Sequence, residues 1–206
     1  MRYRMRQWRW SLALAVLISL AGGSATATPL GIVLLPEPDI NYDFADVSYT
    51  AGSGALTVSG FAANMDAFSV TNESIVSGMF NLSATVNNAG VLQVGGTFSV
   101  TGTIAAFSFN SGTLLTGNLT AIGFPDGSAG ALEFFFDPTG GDAASLYSNS
   151  SGITVGIVNG FPGDWDNNFS ASFSAVGDIG VPEPSTALML GLGLGVLSWR
   201  RRTSRA

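Results

Sequence analysis

The chain has no cysteine and no histidine, and none of its basic residues is lysine. Each absence removes a class of chemistry. Without cysteine there is no disulfide to staple the fold and no thiolate nucleophile. Without histidine there is no Ser-His-Asp triad, and a soft-metal centre of the Cys/His kind is excluded. Without lysine no Schiff base forms. Carboxylate pairs, Ser, Thr, Tyr and bound hard cations are what remains for catalysis.

The positive charge is equally scarce in the middle of the chain. All eight basic residues are arginine: Arg2, Arg4, Arg6 and Arg9 at one end, Arg200, Arg201, Arg202 and Arg205 at the other. All 14 acidic residues lie between Glu37 and Glu183. The body is therefore an anion without a single cation. It repels nucleic acid, whose binding depends on Lys and Arg neutralising phosphates. It has no arginine clamp for phosphorylated substrates and no internal salt bridge. Its stability must come from apolar burial and hydrogen bonds, less the mutual repulsion of its carboxylates. Divalent cations such as Ca²⁺ would relieve that repulsion.

What is present at the two ends reads as targeting. Four arginines precede an apolar run from Leu12 to Ala21, and Ala25-Thr26-Ala27 follows as an A-x-A cleavage site. This is the layout of a secretory signal peptide over residues 1–27, with cleavage after Ala27, or after Ala25 as the alternative. No twin-arginine pair is present, so the Sec machinery exports the chain unfolded. At the other end Val181-Pro182-Glu183-Pro184 precedes an apolar stretch from Ser185 to Trp199 and the basic group Arg200, Arg201 and Arg202. A helix over 185–199 covers about 22 Å, short of a hydrocarbon core of ~30 Å. Such a marginal span suits a temporary anchor. The arginines after it stay cytoplasmic by the positive-inside rule, which puts residues 28–184 outside.

This tail, residues 181–206, resembles the PEP-CTERM sorting tail. The match runs position by position over Val181, Pro182, Glu183 and Pro184, then over the span and the basic stop. The resemblance implies a membrane cysteine protease of the exosortase type as partner. It implies cleavage near the motif and a body released or transferred to the surface of a bacterium that makes biofilm or extracellular polysaccharide. It carries no activity for the body, because proteins of this group share the tail and differ elsewhere.

Residues 28–180 read as one all-β domain. Phe80, Leu82, Ala84 and Val86 alternate with Asn81, Ser83 and Thr85; Phe98 to Ile104 and Phe169 to Ala175 alternate in the same way. Period two with one apolar face marks strands packed on a core. Further strands are expected near Val47–Thr50, Leu56–Ala62, Phe68–Val70, Phe107–Phe109, Leu119–Phe124, Leu132–Phe136 and Ile153–Val158. Turn signals such as Ala51-Gly52-Ser53-Gly54 and Asn87-Asn88-Ala89-Gly90 separate them. Pro36 and Pro38 mark the preceding stretch as a lead-in loop. About ten short strands with frequent turns predict a β-sandwich or jelly roll.

Candidate sites in the body are few. Asp164, Asp166 and Asn168 set oxygen side chains at alternate positions, as a calcium loop begins. Phe169 where an EF-hand loop needs Gly, and no Glu at the twelfth position, reject an EF-hand, which leaves a looser Ca²⁺ loop or a plain solvated turn. Trp165, between those acids, offers a platform for a sugar ring or an anchor in the core. Glu133 and Asp137 fall on one face of a strand about 13 Å apart, without recognisable hydrolase context. The expected role is a non-enzymatic surface or matrix protein associated with exopolysaccharide, with a carbohydrate- or calcium-binding module as the alternative and a carboxylate-based glycoside hydrolase as a remote one.

Overall fold

Alternation of apolar and polar residues gives every long strand one side for the core and one for water. The computed structural model describes residues 29–124, 131–157 and 164–183. Its strands are β1 (Leu34–Thr50), β2 (Ala55–Ala67), β3 (Val70–Ser74), β4 (Val76–Thr85), β5 (Thr97–Thr103), β6 (Thr113–Gly123), β7 (Leu132–Gly140), β8 (Ser151–Ile157) and β9 (Phe169–Pro182). Short 3-10 turns fall at Ala105–Phe107 and Ala144–Leu146.

The strands pair antiparallel in the order β1-β9-β8-β7-β6-β5-β4-β2, and β1 also pairs β2. That last pairing closes an eight-stranded barrel, with β3 hanging on the far half of β2. The sandwich or jelly roll expected from the turn frequency is thus corrected to a closed barrel. Frequent hairpins are common to both architectures. Closure is decided by β1 pairing simultaneously with β2 and with β9, whose partners lie 120 or more residues later, a contact with no local signal. Local readings shift too. Phe68 and Ser69 are left-handed turn residues, so the strand begins at Val70. Phe107 lies in a 3-10 turn, and Phe109 makes a single bridge to Ile104. The proline-rich lead-in is continuous with β1, but the ladder to β9 skips from Leu34 to Asp39, over both prolines that lack an N–H.

The interior is filled by side chains. Tyr42 stacks on Phe80 at 4.2 Å between centroids, and Phe98 meets Phe136 edge-on at 4.5 Å. Gly117 makes room for that second pair: a Cβ there would come within 2.5 Å of Phe98 and 2.9 Å of Phe136. The buried tyrosines satisfy their hydroxyls on backbone carbonyls. Tyr42 donates to Thr154 and Tyr147 to Ile179, which avoids the cost of an unpaired buried polar group. Outward positions carry Ser, Thr and Asn, as in the exposed Thr57, Ser59, Asn81 and Ser83. This is the reverse of a membrane-spanning barrel, which turns its apolar face to lipid. Among the described residues no helix is long and apolar enough to cross a membrane.

Candidate functional site

The sorting motif begins inside the fold. Val181 and Pro182 are the last residues of β9. Pro182, at the strand end, pairs with Leu34, a position where a missing N–H does least harm. The Glu183 N–H donates to the Val33 carbonyl at 2.8 Å, while its side chain is exposed. Half of the motif is therefore an extended strand end clipped to the start of β1. Pro184, the span over 185–199, Arg200, Arg201, Arg202 and the signal peptide at 1–27 lie outside the described residues.

A segment that sequence reasoning passed over holds this end in place. Residues 31–34 run across the outside of β7, β8 and β9. The Gly31 and Ile32 N–H groups both donate to the Glu133 carboxylate, at 2.9 and 3.3 Å. Two glycines, Gly152 and Gly180, face each other across β8 and β9. A Cβ at Gly152 would lie 2.9 Å from both Ile32 and Leu34, and one at Gly180 would lie 3.2 Å from Leu34. Both glycines alternate with inward Ile153 and Ile179, yet both are buried, because the strap lies over them. From sequence alone Glu133 is half of a carboxylate pair with Asp137. It serves here as the acceptor for the strap. Asp137, on the same face, accepts from the Ser150 N–H at 3.0 Å.

The Asp164 to Asn168 loop is organised by its own hydrogen bonds. Asp164 Oδ1 accepts from the backbone N–H groups of Asp166 and Asn167, both at 3.0 Å, an Asx-type turn. Asp166 Oδ1 accepts from Asn88 and Asn168 Oδ1 from the Ala51 N–H. The three oxygens expected for calcium thus each serve a different neighbour. Trp165 is only 3 % exposed and packs edge-on against Tyr49, Phe124 and Phe169. Of its two readings the structure places the ring in the core, where it anchors the loop.

Barrel closure gathers carboxylates that lie far apart in sequence. Asp66 stands opposite Asp39 across β1 and β2, and Asp178 stands opposite Asn41 across β1 and β9. Asn41 Nδ2 donates to Asp39 Oδ2 at 3.1 Å and to Asn64 Oδ1 at 3.0 Å. Burial, then the charges of Asp178 and Asp66, push the Asp39 carboxyl up to about 7, against a smaller opposing pull from Asn41. Burial, then Asp43, raise Asp178 as well. No motif links these acids in the sequence; the pairing of β1 with β2 and β9 brings them together. Among the described residues no group of three or more carboxylates is placed to hold a metal ion.

No curated protein and no solved structure matches the chain. The tail does find a family: residues 180–202 match the model of the PEP-CTERM protein-sorting motif, which implies export and membrane-linked sorting to the cell surface by an exosortase-type partner.

Proposed function

We propose that the chain is a non-enzymatic surface or matrix protein associated with extracellular polysaccharide. It is exported through Sec, held in the inner membrane by its tail, and cut near the motif. The product is an acidic barrel. The observation that carries this reading is the sorting motif fused to the last strand of a barrel with a side-chain-filled interior. Such an interior differs from the ligand-holding barrels that keep a chamber open. The acidic side chains of the body support the same reading, since Glu133, Asp137, Asp164 and Asp166 serve as acceptors for other parts of the fold. An anionic, hydroxyl-rich surface suits a hydrated polysaccharide matrix, where hydrogen bonding and bridging cations replace salt bridges.

The test is the intact mass of the protein from its native cells, resolving both termini. The expected species starts near Thr28, ends near Pro184 and is found outside the membrane fraction. A species ending at Ala206 in the membrane fraction would overturn the sorting step. Glu183→Ala or Pro184→Ala is expected to leave the full-length precursor in the membrane. For the matrix role, the processed body should co-fractionate with extracellular polysaccharide. A body found free in the medium removes that part of the reading.

A further inference from the structure

The clip between the start of β1 and the end of β9 has a consequence for processing. A protease takes its substrate as an extended segment whose backbone hydrogen bonds are free to pair with the enzyme. In the folded barrel the motif's first half is not free. Leu34 pairs with Pro182, and the Val33 carbonyl takes the Glu183 N–H. The strap that makes these contacts is itself fixed at two further points, the Glu133 carboxylate and the buried Gly152–Gly180 bed.

We propose that residues 31–34 form an intramolecular shield over Val181, Pro182 and Glu183, and that this strap must lift before the processing enzyme can seat the motif. The inference rests on the sorting reading. It adds a residue set, Ile32, Val33, Leu34, Glu133, Gly152 and Gly180, that governs the rate of cutting. The strap begins a few residues after the expected signal-peptide cut, so the start of the mature body lies beside the start of the sorting motif. Folding of the exported body and access to the sorting motif are thereby coupled through one local opening equilibrium. Apparent enzyme affinity is the intrinsic affinity multiplied by the fraction of chains with the strap raised.

The experiment follows precursor and product over time in cells that carry the processing enzyme, using the full chain. Leu34→Cys with Gly180→Cys locks the strap down. The Leu34 Cβ lies 3.2 Å from the Cβ position of Gly180, close to the ~3.5–4.5 Å of a disulfide, and the chain has no other cysteine to compete. The oxidised lock should be cut much more slowly than wild type, with a reductant restoring the rate. Gly152→Val, which fills the bed at a non-strained backbone position, and Glu133→Ala, which removes the acceptor, should be cut faster. A change of about tenfold is expected, the effect of removing one or two net hydrogen bonds from the closed state. A cooperative melt distinguishes a lifted strap from an unfolded barrel, and the lock, which cannot accelerate cutting by unfolding, decides the matter. Cutting of the oxidised lock at the wild-type rate overturns the shield. Normal processing of Glu183→Ala and Pro184→Ala in the same cells overturns the sorting reading instead.

Discussion

The two sides of the barrel are built differently. The wall from β4 to β7 joins strands that are neighbours in sequence and pairs them through hairpins. In β4 and β5 the register from Met79↔Thr101 to Ser83↔Thr97 runs without interruption. The seam lies at β1, which meets β2 through the tight turn at 51–54 and meets β9 from the far end of the body. Its ladder is broken at Tyr42/Ala45 and Ala45/Val47 on the β9 side and at Asp43/Asp46 on the β2 side. Phe44 is ejected there with φ of 52° and is exposed, as a bulge requires. The seam also carries the raised carboxyls, the strap and the start of the sorting motif. The wall has register shifts of its own, at Val76/Met79, Val100/Thr101, Thr116/Gly117 and Leu119/Ala121; what sets the seam apart is the long-range pairing of β1 with β9 and the carboxyls and motif gathered there.

This contrast can be broken by experiment. The largest effect is expected in the wall, where Phe136→Ala removes a fully buried ring against Phe98 and should cost about 3–5 kcal/mol by denaturant unfolding. A loss below the range of a surface substitution would mean that the wall is not the stable part. The next effect belongs to the seam and depends on pH. Native Asp39 keeps its proton up to about 7, whereas the unfolded chain releases it near ~4. The native state therefore binds more protons between those values, and stability falls as pH rises through that window. Asp178 is shifted in the same direction. Melting temperature should rise on acidification from pH 7 toward 5. Asp39→Asn should flatten that slope and add about 1–2 kcal/mol at neutral pH, since solvent screening of a half-exposed group removes much of the full shift. A wild-type melting temperature independent of pH over this range would remove the carboxyl cluster from the account.

Smaller effects sharpen the comparison. Asn168→Ala deletes the acceptor for the Ala51 N–H at 2.8 Å and should cost about 0.5–1.5 kcal/mol. The loop's Trp165 would remain in place, which unchanged tryptophan fluorescence would verify. On the outside of the wall, Ser59→Ala removes an exposed hydrogen bond to Asn81 and should stay within about 0.5 kcal/mol of wild type. A larger loss there would show that the Ser/Thr/Asn face does more than keep the barrel wet.

Much of this was legible one strand at a time. The alternation at Phe80–Val86 and Phe98–Ile104 gave β4 and β5 their inward faces, because period two is a local property of the backbone. The turn at Asn87–Gly90 was legible for the same reason, and Gly90 does donate to the Asn87 carbonyl at 2.8 Å. The seam was not. The proline stretch read as a loop because proline cannot pair, yet it continues into the strand that closes the barrel. The roles of Glu133, Gly152 and Gly180 depend on which strand lies over them, and residues 31–34 carry no motif. Trp165 had two readings, a sugar platform and a favoured anchor in the core, and packing buries the ring.

The sequence by itself determined the acidic, cation-free body, the absence of thiol and imidazole chemistry, the all-β class and the sorting motif at 180–202, since each is written in residue type and short spacing. Only the tertiary structure decided that the strands close into a barrel, that Asp39 shares a face with Asp66 and Asp178, and that the sorting motif starts as part of β9 under the strap. Closure, the approach of Asp178 and the strap over β9 depend on pairing between residues more than 100 positions apart, where register is set by the packing of the whole ring and by no local preference.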